Sequence, residues 1–121
     1  MKYLFEELTR EIIGCFYKVY DELGAGFLES VYEKALMIEL QAVGLQVENQ
    51  KSINVIYKGK LIGEFKADIV VEDKVIIEIK AVNKLNNQHE AQLINYLKAT
   101  KIKIGLLVNF GEKLEFKRRI Y

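Results

Sequence analysis

The chain has 121 residues, half of them hydrophobic and 29% charged, which is the balance of one soluble globular domain over residues 1–121. Its 18 basic and 17 acidic side chains leave a net charge of +1, so bulk charge attracts no polyanion, and any contact with one must come from a local basic rim. The lone Cys15 excludes an internal disulfide, and neither a signal-peptide core nor a long apolar span is present, so a cytoplasmic protein with no membrane partner is expected.

Apolar side chains at Leu4, Leu8, Ile12, Phe16, Val19 and Leu23 recur in steps of three or four, which predicts an amphipathic helix from Tyr3 to Leu23. Gly24-Ala25-Gly26 ends it, because glycine accepts the left-handed conformation at a helix C-terminus. A second helix is predicted from Leu28 to Val43, with Val31, Ala35, Leu36, Ile38, Leu40 and Val43 turned inward and Gly44 as its stop. Glu29 and Tyr32 fall in its first turns. An acid there complements the positive end of the helix dipole, which explains Glu29 without any chemistry.

Even spacing of Val47, Ile53, Val55 and Tyr57 predicts a strand over Leu45–Tyr57, followed by a turn at Lys58-Gly59-Lys60. Strands over Leu61–Val71 and Val75–Ala81 then complete an antiparallel meander. After a polar loop, Asn87 and Glu90 have the spacing of a capping box for a helix to Thr100, which buries Ala91, Leu93, Ile94 and Leu97. Gln88, Gln92 and Tyr96 step by four along one face of it, and Gln88 reads as solvated. Ile102–Asn109 is a buried strand reached through that helix, so a right-handed crossover should set it parallel to its partner. Leu114, Phe116, Arg118 and Ile120 alternate in a last edge strand. His89, the sole histidine, has no partner residues for zinc and stands outside the chemistry.

Within the meander, Ile69-Val70-Val71 and Val75-Ile76-Ile77 flank the polar step Glu72-Asp73-Lys74. A two-residue loop would send Asp68 and Glu78 to opposite faces. A three-residue loop pairs Val71 with Val75, gives Ile69, Val71, Val75, Ile77 and Ile79 one apolar face, and sets Asp68 across from Glu78. The hydrophobic pattern selects that register. Two carboxylates so placed lie roughly 5 Å apart at Cβ and repel each other unless something positive lies between them. A hard divalent cation takes such ligands, and Lys80 adds a second positive charge. The competing explanation is a solvated face with a cross-strand ion pair.

The spacing Asp68…Glu78-Ile79-Lys80 resembles the D…ExK signature of the PD-(D/E)xK nuclease superfamily. Gly26-Phe27-Leu28-Glu29-Ser30-Val31-Tyr32 is similar to the motif that names its GxxExxY branch, and Gln92-Leu93-Ile94-Asn95-Tyr96 to the QxxxY motif of its RecB-like and lambda-exonuclease-like members. The three motifs occur in the expected order. The proline that precedes the aspartate in the superfamily's name is replaced by Ala67. The resemblance implies an α/β (α+β) fold, a restriction-endonuclease-like αβββαβ core with a mixed sheet of about five strands flanked by helices. It also implies a metal-dependent nuclease, with DNA the expected substrate and Mg²⁺ or Mn²⁺ the cofactor. Asp68, Glu78, Glu29 and the carbonyl of Ile79 would be the metal ligands. Lys80 would orient the attacking water or stabilise charge on the phosphate, and Tyr32, Gln92, Tyr96 and Lys66 would contact the substrate. The alternatives are a non-catalytic nucleic-acid-binding module on this fold, or a protein-interaction module docking through Lys117-Arg118-Arg119. A homodimer is compatible with any of these.

Overall fold

A computed structural model of the chain describes residues 5–121. Helix α1 (Glu6–Leu23) and helix α2 (Glu29–Ala42) precede strands β1 (Val47–Tyr57), β2 (Lys60–Val71) and β3 (Val75–Lys80). Helix α3 (Asn87–Thr100), strand β4 (Ile104–Phe110) and strand β5 (Leu114–Ile120) follow. The five strands form one sheet in chain order, antiparallel except for the parallel β3–β4 pair that the α3 crossover joins. Leu4 and the expected helix start at Tyr3 lie outside the described residues. No helix among the described residues is long and apolar enough to cross a membrane.

The sheet is covered on both faces. Ile69, Val71, Val75, Ile77 and Ile79 pack with Ile12, Phe16, Val19, Leu36 and Leu40 of α1 and α2, while Val70, Ile76 and Leu107 pack with Leu93 and Leu97 of α3. Gly105 lets α3 come down onto β4, since a Cβ there would stand 2.6 Å from the Leu93 side chain. The β2–β3 register is the one the hydrophobic pattern requires: Val71 pairs with Val75, Val70 with Ile76 and Ile69 with Ile77.

Local details differ from the pattern reading at several points. The inward face of α2 is Tyr32, Leu36 and Leu40, a strict four-residue spacing, so Val31 and Ile38 face outward although both are apolar. The cap of α3 is Asn86, not Asn87. Its side chain accepts from the Gln88 and His89 amides, and His89 Nδ1 accepts from the Asn86 amide, a capping box one residue earlier than expected. Glu90, freed from that duty, bonds Lys117 at 2.8 Å and Arg119 at 2.7 Å on β5. That pairing, led by the Lys117 hydrogen bond, holds its carboxyl below the ordinary range. Two of the three basic residues of the presumed docking edge are thus spent on tying β5 to α3.

The largest departure lies in the β1–β2 pair. Val47 packs on the α1–α2 side and Ile53 on the α3 side, although strict alternation would put both on one face. The phase changes at Gln50, which takes a left-handed φ of 51° and drops out of the ladder. Across from it β2 slips too: Ile69 faces α1–α2, whereas Ala67 and Phe65 face α3. Asp68 sits at this break.

Candidate active site

At Ile69 and Ile77 the β2–β3 backbone ladder stops, and side chains take over. The Asp68 amide donates to Glu78 Oε1 at 3.1 Å, and the Ile79 amide donates to Asp68 Oδ2 at 2.8 Å. Each carboxyl group therefore bonds a backbone amide of the other strand just where the ladder ends. Glu78 is 3% exposed, and its carboxyl is pushed up to about 9. Burial is the leading cause and the charge of Asp68 the second, outweighing the Asp68 amide and the Lys80 ammonium, which pull the other way.

The two helices reach this point from opposite faces. On the α2 side, Glu29 Oε2 accepts from the Ala81 amide at 3.2 Å, just past Lys80. One turn on, Glu33 accepts from Gln50 Nε2 at 2.7 Å, and that same amide reaches Asp68 Oδ1 at 3.3 Å. On the α3 side, Gln92 Nε2 donates to Tyr96 Oη at 2.9 Å. The Tyr96 hydroxyl is raised above its ordinary value by burial first, then by the charge of Glu78. Tyr96 thus lies within the electrostatic reach of both acids, and Gln92 is bonded to it.

A divalent cation suits this donor set. Oxygen ligands are what Mg²⁺ and Mn²⁺ prefer, and a cation between the two acids would offset the burial and the Asp68 charge that raise Glu78, displacing its proton as it binds. Among the described residues, no three His, Cys, Asp or Glu side chains are gathered into a ready-made cluster. The core of the set is the Asp68–Glu78 pair, and the exposed Glu29 stands at its edge.

The sequence profile of the PD-(D/E)XK nuclease superfamily matches residues 6–119, nearly the whole chain. The chain belongs to the PD-(D/E)XK nuclease superfamily. A crystal structure of SSO0001 superposes with a TM-score of 0.61 at 18% identity, covering 75% of this chain and 50% of that one. An alkaline exonuclease (LHK-Exo) from Laribacter hongkongensis gives a TM-score of 0.55 at 16% identity, covering 75% of this chain and 55% of that one. The chain thus spans about half the length of either structure, and the likeness establishes the restriction-endonuclease-like fold. No curated protein matches the sequence.

Asp68 on β2 and Glu78-Ile79-Lys80 on β3 have the order and spacing of the superfamily's D…(D/E)xK signature. Two residues expected at the substrate do not stand there. Tyr32 is 0% exposed: its ring stacks on Phe110 with 4.5 Å between centroids, and its hydroxyl donates to the Gly24 carbonyl and accepts from the Phe27 amide. It is a strut that fixes the turn leading to Glu29. Lys66 lies between Phe65 and Ala67, both turned to α3, so alternation directs it away from the face that carries Glu78. Its side chain makes no hydrogen bond or ion pair among the described residues.

Pattern reading also missed residues that hold the site. Gln50 and Glu33 support Asp68. Asn109, wholly buried in β4 beside Lys80, clamps the chain after β3: it accepts from the Val82 amide and donates to the Val82 carbonyl, both at 2.9 Å. Gly111 must stay small for this, since a Cβ would stand 2.5 Å from the Val82 carbonyl. A polar residue in the apolar run Ile104–Phe110 was the available signal for Asn109. Gln50 offered none.

Proposed function

We propose that the chain is a metal-dependent nuclease of the GxxExxY branch that hydrolyses DNA phosphodiester bonds. The observation that carries this reading is the buried Glu78 carboxyl, set against Asp68 where the β2–β3 ladder gives way, with Lys80 two residues on. Asp68, Glu78 and the Ile79 carbonyl would hold Mg²⁺ or Mn²⁺, and Glu29 would complete the set from α2. Bound there, the cation would supply Lewis-acid polarisation of a phosphoryl oxygen and a water of lowered pKa.

The chain's own residues supply the rest. Burial around Glu78 keeps bulk water from screening the site's charges, which strengthens their effect on a phosphate. Lys80 offers a mobile point charge to the attacking water or to the developing charge on phosphate. Tyr96, held by Gln92, presents a hydroxyl for a phosphate or for the metal's water shell.

Labelled single- and double-stranded DNA and RNA, incubated with Mg²⁺, Mn²⁺ or EDTA, test the proposal. Cleavage of DNA that EDTA abolishes is expected. Binding without cleavage under every metal would instead identify a non-catalytic module on the same fold.

A further inference from the structure

Next to the carboxyl pair, a groove of about 840 Å³ runs between α3 and the outer part of the β1–β2 hairpin. Tyr96 belongs to both places, since it lines the groove and also lies within the field of Glu78 and Asp68. The groove and the candidate active site therefore share Tyr96. The volume falls within the ~300–1,000 Å³ of small-molecule sites, enough for a nucleotide.

Its walls have a particular chemistry. Phe65 is 47% exposed and meets Tyr96 with ring centroids 5.8 Å apart, so aromatic surface faces the open space. The phase slip at Gln50 and Asp68 is what turns Phe65 to this side. Facing it, α3 presents Ala91 and the amides of Gln92 and Asn95 where a solvated helix face would carry charge. Among the described residues no acidic one lines the groove, and the charged ones that do are Lys98 and Lys101. An occupant that fits is flat and apolar on its faces, forms hydrogen bonds at its edges and is attached to a negative group. That describes a nucleobase on its phosphate.

We propose that this groove is a base-binding cleft for an unpaired nucleotide, which makes single-stranded nucleic acid the preferred substrate of the neighbouring centre. The proposal rests on the nuclease reading for its functional meaning, though binding can be measured without it. A base inside a duplex is already stacked and paired, and it must leave both arrangements to enter the groove. An unpaired base does not have to.

The test uses the full chain in EDTA, with fluorescence anisotropy of an oligothymidylate of about 12 nucleotides and of a blunt duplex of equal length. The single strand should bind at least about 10-fold more tightly. Phe65→Ala removes a stacking ring and should weaken single-strand binding about 5- to 100-fold while leaving duplex binding unchanged. Ala91→Trp fills the groove and should do the same. Both positions are exposed, and unchanged thermal unfolding confirms intact folds. Equal affinity for single strand and duplex, or single-strand binding untouched by both variants, overturns the proposal. Metal-dependent cleavage that persists beside such a result leaves the nuclease reading standing. Strand-selective binding without cleavage under any metal sinks that reading and keeps the cleft.

Discussion

From the Glu72-Asp73-Lys74 turn to Ile69 and Ile77, β2 and β3 are held by their backbones, whereas at Asp68 and Glu78 two carboxyl groups hold them. The first region is indifferent to pH and solutes, because amide–carbonyl bonds and buried aliphatic side chains do not titrate. The second has partners that change with protonation. One residue along each strand separates the two regimes. Placing a titratable joint beside an apolar clamp lets the site gain or lose charge while the sheet keeps its register. Stability and chemistry should therefore be separable by substitutions very close together.

The sharpest separation comes at the carboxyl end. Glu78→Gln keeps the size of the side chain and can still accept from the Asp68 amide, but it removes a charged ligand. Mn²⁺ affinity by calorimetry and cleavage rate should each fall about 10²-fold or more. Metal-free thermal stability should hold or rise, since a buried acid beside another acid is gone. Lys80→Ala should cost cleavage about 10²-fold with Mn²⁺ affinity nearly kept, as expected of a group acting on phosphate and water. Unchanged Mn²⁺ affinity in Glu78→Gln would defeat the nuclease assignment.

At the apolar end, one residue before Glu78, Ile77→Ala should behave in the opposite way. Ile77 is 0% exposed, and truncation opens a cavity costing about 2–5 kcal/mol in chemical denaturation. The folded fraction should bind Mn²⁺ with parental affinity. Loss of metal binding out of proportion to unfolding would mean that the two regimes are not independent.

A smaller effect follows from protonation. Glu78 keeps its proton to about pH 9 in the folded chain, against an ordinary value of 4.5. Between those values the folded state binds the proton and the unfolded state does not. Metal-free stability from this group is thus full below the lower value, is lost progressively as pH rises toward the upper one, and is flat above it. The slope is at most about 1.4 kcal/mol per pH unit. Urea melts at pH 6, 7 and 8 should show that decline in the parent and not in Glu78→Gln, and Mn²⁺ should reverse it in the parent alone. A parent no more pH-sensitive than the variant would place the Glu78 proton elsewhere.

What the sequence disclosed and what it hid divide along the same line. The apolar regime was legible because only the three-residue loop gathers Ile69, Val71, Val75, Ile77 and Ile79 on one face and keeps Asp68 and Glu78 together, so the hydrophobic pattern chose the pairing. The pairing of Asp68 with Glu78 followed from that register, whereas the expectation that Gln92 and Tyr96 face them came from the QxxxY resemblance. The break at Gln50 was not legible, because a glutamine at φ 51° carries no glycine or asparagine signal. Without the break, Lys66 fell on the wrong face and the aromatic side of the groove was invisible. The sequence showed the repulsion between the two acids, whereas burial, which it did not show, is the larger cause of the raised Glu78 carboxyl.

Tyr32 gives the finest test, because it was misread in an informative way. The GxxExxY resemblance implied a substrate contact for Tyr32, while its place in the inward series with Leu36 and Leu40 makes it a core residue. Tyr32→Phe keeps the stack on Phe110 and the edge contact with Phe27 but loses the hydroxyl between the Gly24 carbonyl and the Phe27 amide. Those groups lie near the surface, so water recovers part of the loss, and about 0.5–1.5 kcal/mol is expected, or a Tm lowered by a few degrees. With the turn loosened, Glu29 is less well aimed at the end of β3, so kcat should fall several-fold with KM for DNA nearly constant. A substrate-contacting hydroxyl predicts the reverse, a raised KM with unchanged Tm, and that outcome would return Tyr32 to the substrate and leave Glu29 without its strut.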